Sequence, residues 1–457
     1  MRLYQKALVL GLAASGEAAA RLLLAEGTQV VVLDRGDSDI LVRRAAALQT
    51  LGAEVCLGVT PPPPGDFEVT IVSPGIAASS DTVQAIMARG IPVVSELELG
   101  WSRSTCRVLA ISGSNGKSTL VKLCAEALAQ AGLRAAIAGN YGPPISAVVS
   151  EVSRGKPLDW LVLEVSSFQL ETVQAFRPDV GVLLNVTPNH LDRHGDFPTY
   201  RQIKSRLFAR MTPADTGVTD RNILPEIRAL AGSPNRWVAV GVNPTAGVSP
   251  AAGVHPAPEF FYQSGAIHNA LGRERIELCG TLFDNEIMGL TAAAAAAALS
   301  ACGVEGRCLA AAVCAFHSLP HRFQDVGAVR GIRFVNDSKA TNLAAMMAAL
   351  TMTRGPVRLI AGGLPKHESY GPACKLLAEK VATVYLIGQA FEAMATAWRG
   401  AVPCVMCGTL EQAVAQAWRE ARPGDTILLS PACASFDQFR SFEERGECFI
   451  SAIRALS

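Results

Sequence analysis

At 457 residues, the chain is too long for one ordinary domain and suits two to four domains, each large enough to bury its own core. Hydrophobic residues make up 49% and charged residues 18%, which excludes an intrinsically disordered protein. The 41 Lys and Arg against 40 Asp and Glu leave a net charge of +1, so the balance argues against nucleic acid or an anionic membrane surface as a partner.

The cysteines and the apolar segments indicate a cytoplasmic protein. The 12 Cys do not form the even framework of a small secreted domain, which favours reduced thiols. The first residues run directly into an apolar strand-like stretch, without a signal peptide. The most apolar later stretch, residues 290–304, is shorter than the roughly 20 residues that span a bilayer. We therefore expect a buried helix there and no membrane insertion.

The first predicted elements are the opening of a Rossmann-like unit. A strand over Ala7–Leu10 is followed by a helix over Glu17–Glu26 and a second strand over Gln29–Leu33, which ends at Asp34. A further strand is predicted over Val69–Val72. Short apolar runs continue to alternate with helix-length segments to the end of the chain. This alternation is typical of βαβ units around largely parallel sheets, so the predicted fold class is α/β.

Two further groups of strands follow. A second unit begins with a strand over Val108–Ile111, after a connector predicted over residues 92–101, and we place a domain boundary near Glu96. An Ala-rich helix is predicted from Leu290 onward. The third group of strands begins after Pro320 and covers Ile332–Val335, Val357–Ala361, Val384–Ile387 and Thr426–Leu429.

Residues 111–119, ISGSNGKST, lie between an apolar strand and an amphipathic segment and form a candidate phosphate loop. Glycines let backbone N–H groups turn toward phosphate, the helix N-terminus adds a positive dipole end, and Lys117 reaches the terminal phosphates. Ser118 or Thr119 can then hold Mg²⁺. The common GxxxxGK[ST] spacing is not met, because Ile111 stands where its first Gly would be.

Polar residues follow the two neighbouring apolar runs. Glu164 ends the run over residues 159–164 and should emerge at the carboxyl edge of the sheet, where it can serve as a second magnesium ligand. The run over Val180–Asn185 leads into residues 187–194, TPNHLDRH. Two His, an Asp and an Arg on one loop are more than a lone structural His would require.

The ordered motifs of the chain resemble those of the Mur ligases and of their relative folylpolyglutamate synthetase. The resemblance rests on GSNGKST at 113–119, GNYG at 139–142, LEVSSFQL at 163–170 and NVTPNHLD at 185–192. Further on, it rests on LPHRF at 319–323, NDSKATN at 336–342, SPACASFDQF at 430–439 and FEERG at 442–446. The last two strings, with SPG at 73–75 and SELE at 95–98, look like those of the family members that add D-glutamate.

The resemblance implies three domains and one reaction. The domains are a UDP-substrate-binding Rossmann-like domain over residues 1–96, a central ATP-binding domain over 97–318 and a Rossmann-like C-terminal domain over 319–457 that takes the amino acid. The carboxylate of UDP-N-acetylmuramoyl-L-alanine attacks the γ-phosphate of ATP to give an acyl phosphate, and the amine of D-glutamate then displaces phosphate. In the family, this step belongs to cytoplasmic peptidoglycan precursor synthesis. We expect a monomer.

The family motifs also imply roles for individual residues. Those at the phosphoryl-transfer centre are catalytic Lys117, His190 and Lys204. Those implied to bind ATP are Gly113, Ser114, Asn115, Gly116, Lys117, Ser118, Thr119, Arg322, Asp337 and Lys339. Those implied to hold magnesium, with two ions expected, are Ser118, Glu164, His190 and Lys204, the last as a carbamylated lysine. Without the resemblance, Lys204 would be interpreted as a solvated helix lysine.

The two remaining substrates have implied residues of their own. Those for the UDP substrate are Ala14, Ser15, Asp34, Arg35, Ser73, Pro74, Gly75, Asn140 and Ser166. Those for glutamate are Thr341, Lys366, Ser435 and Phe442.

Three departures from the family pattern leave questions open. Ala13 replaces the middle glycine of the loop GLAASG at 11–16. The HNxxN motif at the start of the Ala-rich helix is absent: counting back from that helix, Ile287, Met288 and Thr291 occupy its places, so adenine contacts are open. Pro365 precedes Lys366, where Asp or Gly is common.

Other functions remain as alternatives. A ligase using another amino acid, such as L-glutamate, fits the same anchors, and a folylpolyglutamate synthetase-like enzyme or a non-catalytic nucleotide-binding protein fits part of the pattern. A nicotinamide-dependent dehydrogenase would explain the first unit but leaves GSNGKST unexplained.

Overall fold

The computed structural model describes residues 4–59, 64–243, 256–272, 274–365 and 369–456. Within these ranges the strands form three sheets, of five, nine and six strands, which confirms the predicted α/β class. The chain divides into two compact units, residues 1–315 and 316–457. The first unit contains the first two sheets, and the second unit contains the third.

The first sheet is parallel throughout, with strand order β3-β2-β1-β4-β5. Its strands are β1 Lys6–Leu10, β2 Gln29–Asp34, β3 Glu54–Leu57, β4 Val69–Val72 and β5 Val93–Ser95. Its helices are α1 Ala14–Ala25, α2 Asp39–Thr50, α3 Asp81–Ala88 and α4 Glu96–Trp101. Every residue of β4 is buried, as expected for a parallel strand that is covered on both faces.

The second sheet has the order β14-β13-β12-β11-β10-β9-β6-β8-β7, parallel from β7 to β12 and antiparallel beyond. Its strands are β6 Arg107–Ser112, β7 Ala135–Gly139, β8 Trp160–Glu164, β9 Val180–Leu183, β10 Thr216–Asp220, β11 Arg236–Val242, β12 Phe260–Gln263, β13 Ala266–Asn269 and β14 Arg275–Glu277. The helices are α5 Lys117–Gln130, α6 Ile145–Ser153, α7 Ser167–Leu170, α8 Leu191–His194, α9 Phe197–Ser205, α10 Leu224–Ala231, α11 Glu286–Ala301 and α12 Gly306–Ala315.

The third sheet has the order β15-β16-β20-β17-β18-β19, with β15 antiparallel. Its strands are β15 Gln324–Val329, β16 Ile332–Asn336, β17 Val357–Gly362, β18 Val381–Ile387, β19 Cys404–Gly408 and β20 Thr426–Leu429. The helices are α13 Leu343–Met352, a 3₁₀ turn Gly371–Ala373, α14 Cys374–Lys380, α15 Phe391–Trp398, α16 Leu410–Glu420 and α17 Phe442–Arg454.

The predicted connector over residues 92–101 is wrong. The segment contains β5, the last strand of the first sheet, and helix α4. The carboxylates of two α4 residues are buried and bind the second part of the unit: Glu96 accepts the Ser146 N–H at 2.7 Å, and Glu98 accepts the Ala175 N–H at 2.9 Å. The sequence did not indicate these buried contacts, because two glutamates so close together normally mark an exposed segment.

The Glu96 carboxyl predicts a measurable pH dependence of stability. Burial raises its pKa from 4.5 to about 7, and its Oε2 atom has no hydrogen-bond partner. Between these pH values the folded protein keeps a proton that the unfolded chain releases, so the stability contributed by this group falls as the pH rises through the window. We expect Glu96→Gln to reduce the loss of unfolding free energy between about pH 5 and pH 8 by about 1–3 kcal/mol. Urea unfolding of both proteins at the two pH values is the measurement, and an equal pH slope would contradict the assignment.

The cysteines have the reduced thiols that the sequence favours. All 12 cysteines are free. Cys404 and Cys407 form a CxxC pair in sequence, but both lie within strand β19, where residues three apart point to opposite faces, and burial raises the pKa of each thiol. In the part of the chain that the structure describes, no helix combines the length and apolar character needed to cross a bilayer.

Candidate active site

A cleft of about 710 Å³ opens at the carboxyl end of the first sheet. Eight of the nine residues predicted for the UDP substrate line it, namely Ala14, Ser15, Asp34, Arg35, Ser73, Pro74, Gly75 and Asn140. The ninth, Ser166, does not line it. Ser166 and Gln169 form a capping box at the start of α7, in which the side chain of each residue accepts the backbone N–H of the other. Gln169 itself lines the cleft, so Ser166 orders a residue of the wall.

Glycines and one carboxylate shape the loop of residues 11–16. Gly11 has a φ of +87°, and a Cβ on Gly16 would lie 1.8 Å from the Gly11 carbonyl oxygen, so neither position accepts a side chain. Ala13 has an ordinary extended backbone, with φ −70°, and requires no glycine. Asp34 holds the loop by accepting the Leu12 N–H at 2.6 Å. This carboxylate therefore shapes the cleft whatever it contacts in a ligand.

The candidate phosphate loop connects β6 to α5, as predicted. Gly113 and Gly116 have φ values of +155° and +83°, which let the loop turn back over the N-terminus of α5. Asn185 holds the loop from the end of the neighbouring strand: its Oδ1 accepts the Ser114 and Asn115 N–H groups at 3.1 and 3.0 Å, and its amide donates to the Asn115 carbonyl at 3.0 Å. Asn185 belongs to the motif NVTPNHLD but was not predicted as a site residue, because its partner Asn115 lies 70 residues away in the sequence.

Lys117 lies at the first position of α5 with its ammonium group folded over the loop. Its Nζ donates to the carbonyl oxygens of Gly113 at 2.8 Å and Ser114 at 3.1 Å. A positive charge therefore lies where the glycine-rich backbone and the helix N-terminus converge. Thr119 follows two positions later in the same helix.

Glu164 joins the phosphate loop to the cleft. The Ser118 hydroxyl donates to one oxygen of this carboxylate, and the Asn140 side-chain amide donates to the other at 2.5 Å. Glu164 is 2% exposed and ends strand β8, beside the strand that carries the loop. Asn140 also lines the cleft. One carboxylate thus lies between the two regions predicted to bind ATP and the UDP substrate.

Lys204 is buried beneath the loop and is not the solvated helix lysine that the sequence alone would suggest. Its side chain is 1% exposed, and its Nζ contacts the Gly113 carbonyl oxygen at 3.0 Å and the Ser112 hydroxyl at 3.3 Å. Burial lowers the pKa of this ammonium well below its usual value, and the charge of Lys117 lowers it further. The position therefore favours a neutral amine.

The polar residues of the loop 187–194 make different kinds of contact. His190 has a left-handed backbone, with φ 55°, and its ring packs edge-to-face with Phe168, with 4.9 Å between the ring centres. His194 is buried with its Nε2 3.0 Å from the Ser167 hydroxyl, and desolvation lowers its pKa. Arg193 forms an ion pair with Glu171. His194 and Arg193 thus contact other side chains of the protein, whereas the His190 ring packs against Phe168.

The donor set around the loop suits Mg²⁺ through oxygen ligands. Within the described ranges, no group of three or more His, Cys, Asp and Glu side chains could hold a metal ion. The hydroxyl of Ser118 and the carboxylate of Glu164 are already in contact, and hard oxygen donors with phosphate oxygens form a usual magnesium site. The residues present therefore fit an ion that is bound together with a nucleotide.

In the second unit, Asp337 is one of the three residues predicted for the nucleotide. Its carboxylate accepts the Phe323 N–H at 3.0 Å and the Ser430 hydroxyl at 2.9 Å. Burial raises its pKa to about 7, whereas the charge of Arg322 lowers it. The Lys339 ammonium lies 3.8 Å from the ring centre of Phe442, a residue predicted for glutamate. The structure thus brings Lys339 and Phe442 together.

Of the residues predicted for glutamate, Thr341 and Ser435 lie on loops of the second unit, and Phe442 is the first residue of helix α17. Thr341 precedes α13, and Ser435 is 2% exposed in the loop after β20. The loop after β17 pairs with it through the Leu364 N–H and the Ala434 carbonyl, at 2.9 Å. Lys366 lies outside the described residues.

The start of the Ala-rich helix differs from the prediction. Helix α11 begins at Glu286, four residues before Leu290, and Asn285 caps it by accepting the Met288 N–H at 3.0 Å. The helix therefore contains Ile287, Met288 and Thr291, the residues that stand at the His and the two Asn positions of HNxxN when one counts back from the predicted helix. The prediction missed the start because it took the helix from the apolar run alone and did not use Asn285 as an N-cap.

Known proteins match both parts of the chain. Residues 111–259 match the Mur ligase middle domain, and residues 321–433 match the Mur ligase glutamate ligase domain. A pseudomurein peptide ligase type C from Methanothermus fervidus has a similar structure, with a TM-score of 0.61 at 18% identity over 99% of this chain and 100% of its own. A MurF ligase from Thermotoga maritima, solved in complex with ADP, gives 0.61 at 15% identity over 94% and 96%. These likenesses support the fold.

Relatives of higher identity cover nearly the whole chain. A UDP-N-acetylmuramoylalanine–D-glutamate ligase from Pelotomaculum thermopropionicum is 36% identical over 462 residues, which is 99% of this chain and 98% of its own. One from Gloeobacter violaceus is 38% identical over 462 residues, 98% of this chain and 99% of its own. The chain therefore belongs to the Mur ligase family, in the branch of the UDP-N-acetylmuramoylalanine–D-glutamate ligases.

Proposed function

We propose that the protein joins UDP-N-acetylmuramoyl-L-alanine to D-glutamate by an amide bond, with ATP converted to ADP and phosphate. The observation that carries the proposal is the hydrogen-bonded chain from Asn140 through Glu164 to Ser118. It links a cleft that suits a UDP-linked substrate to a loop that suits a triphosphate. A carboxylate held near Asn140 could approach the γ-phosphate, which acyl transfer requires.

The chemistry needs activation of a carboxylate, because its oxygen is a poor leaving group. Attack of the substrate carboxylate oxygen on the γ-phosphorus forms an acyl phosphate and releases ADP. Lys117, at the N-terminus of α5, holds positive charge where the phosphoryl oxygens gain negative charge. Ser118, Glu164 and, in our proposal, His190 would hold magnesium, which would supply further charge neutralisation.

Lys204 is proposed to act as a carbamate. Its neutral amine can attack the carbon of CO₂ and release a proton, which converts the amine into a carboxylate-like anion beside Ser112 and Gly113. The lowered pKa favours this reaction, because only the unprotonated amine is a nucleophile. A carbamate there would give the site a second anionic oxygen ligand besides Glu164 and is consistent with two magnesium ions.

The amine of glutamate is proposed to come from the second unit. There, Thr341, Ser435 and Phe442 are the described candidates for the amino-acid site, and Arg322, Asp337 and Lys339 are those for the nucleotide. Attack of the amine on the acyl phosphate carbon breaks the carbon–oxygen bond and releases phosphate. The protein is proposed to act as a monomer in the cytoplasm.

The decisive measurement is ADP formation with all substrates present and with each omitted. We expect turnover only with ATP, UDP-N-acetylmuramoyl-L-alanine and D-glutamate together, with L-glutamate at least about tenfold poorer in kcat/KM, because a shifted amine loses alignment with the acyl phosphate. Turnover that favours L-glutamate would replace the proposed acceptor. Nucleotide binding without turnover on any combination would favour the non-catalytic alternative.

A further inference from the structure

Arg193 joins the loop that carries His190 to the wall of the cleft. Its guanidinium binds Glu171 through two nitrogens, at 2.7 and 2.8 Å. It also donates to the carbonyl oxygens of Pro74 at 2.7 Å and Ile76 at 3.0 Å. Pro74 and Ile76 line the cleft, so a side chain from α8 holds the backbone of the cleft wall.

Glu171, the ion-pair partner of Arg193, also binds the backbone of the cleft wall. Its Oε2 accepts the Ala78 N–H at 3.2 Å, and Ala77, the residue before it, lines the cleft. The side chains of Arg193 and Glu171 are only 11% and 9% exposed. Three main-chain groups within residues 74–78 are therefore fixed by one buried ion pair whose members follow β8 and β9.

The Arg193 guanidinium also contacts the aromatic ring that packs against His190. Its carbon lies 3.9 Å from the ring centre of Phe168, and the same ring packs against His190 with a centre-to-centre distance of 4.9 Å. The Arg193 N–H also donates to the His190 carbonyl at 3.1 Å. One side chain therefore contacts both the backbone of the cleft wall and the ring that supports His190.

We propose that Arg193 and Glu171 are positioning residues that set the cleft wall relative to His190, so that the carboxylate of the UDP-linked substrate is aligned for attack. The planar guanidinium is suited to this positioning role, because its five N–H donors point in fixed directions and can bind a carboxylate and two carbonyls at once. Neither residue needs to touch a substrate. This inference rests on the proposed function and assigns roles to two residues that function does not otherwise use.

The test compares Arg193→Lys with Arg103→Lys. Arg103 is a matched control, because it binds Glu26 through two nitrogens at 2.9 and 3.0 Å, is similarly buried, packs over the Tyr4 ring and lies in the same unit. Lysine keeps the charge but cannot reproduce the two-nitrogen contact together with both carbonyl bonds. Urea unfolding, ADP formation and calorimetric binding of the UDP substrate are measured for both variants and the wild type.

We expect Arg193→Lys to lose about 10- to 100-fold in kcat/KM for the UDP substrate, through both a higher KM and a lower kcat, with KM for ATP changed less than about twofold. Arg103→Lys should lose comparable stability but keep the wild-type kinetic constants. Equal kinetic losses in both variants, or none in Arg193→Lys, would overturn the inference.

A double-mutant cycle tests whether the two residues act as one unit. Glu171→Gln should reproduce the kinetic loss of Arg193→Lys, and the double variant should be little worse than either single variant. Additive losses would mean that the two side chains act independently and would refute the pair. Wild-type turnover in the same experiments shows that the proposed function stands even if the inference fails, whereas inactive wild-type protein would refute the function itself.

Discussion

Lys117→Ala is expected to abolish ADP formation while binding of the UDP substrate remains nearly intact. The ammonium group lies over the carbonyls of Gly113 and Ser114 in the phosphate loop, and Lys117 is not among the residues that line the cleft. Removing one charged group that stabilises the transition state should lower kcat by at least about 100-fold. Coupled detection of ADP and calorimetry with the UDP substrate measure the two effects separately.

Lys122→Ala provides the control for this experiment. Lys122 lies on the same helix and pairs with Glu126 on its surface at 2.9 Å, so its removal should leave both measurements unchanged. If Lys117→Ala lost binding of the UDP substrate as severely as ADP formation, the assignment of separate sites for the two substrates would be wrong.

Lys204→Ala is expected to lose at least about 100-fold in turnover and to recover part of it when short carboxylic acids are added. The buried position beside Ser112 and Gly113 leaves a space of lysine length when the side chain is removed. A small carboxylate can enter this space and present an oxygen where the carbamate would lie. Initial rates with increasing acetate or propionate, and with chloride at matched ionic strength, measure the recovery.

Two comparisons make this result specific. Lys117→Ala should show no recovery with the same acids, because a cation rather than an anion is missing there. Wild-type protein should lose activity in buffer depleted of CO₂ and bicarbonate. Wild-type turnover of Lys204→Ala in that buffer would exclude the carbamate.

By itself, the sequence determined the fold class, most of the parallel strands and the phosphate loop, because these depend on local patterns. Apolar runs such as Val69–Val72 become buried strands wherever they lie in a parallel sheet, and glycines beside Lys117 shape the loop through their own backbone freedom. The family motifs also indicated eight residues that the structure brings together around one cleft.

Only the tertiary structure decided which polar side chains meet. Glu164 contacts Ser118, 46 residues away, and Arg193 reaches Pro74 across 119 residues. No local pattern encodes such pairs, because they depend on the order of strands in the sheets. Burial was equally hidden: Lys204 and Glu96 look like solvated surface residues in sequence, and packing from distant segments gives each its shifted pKa.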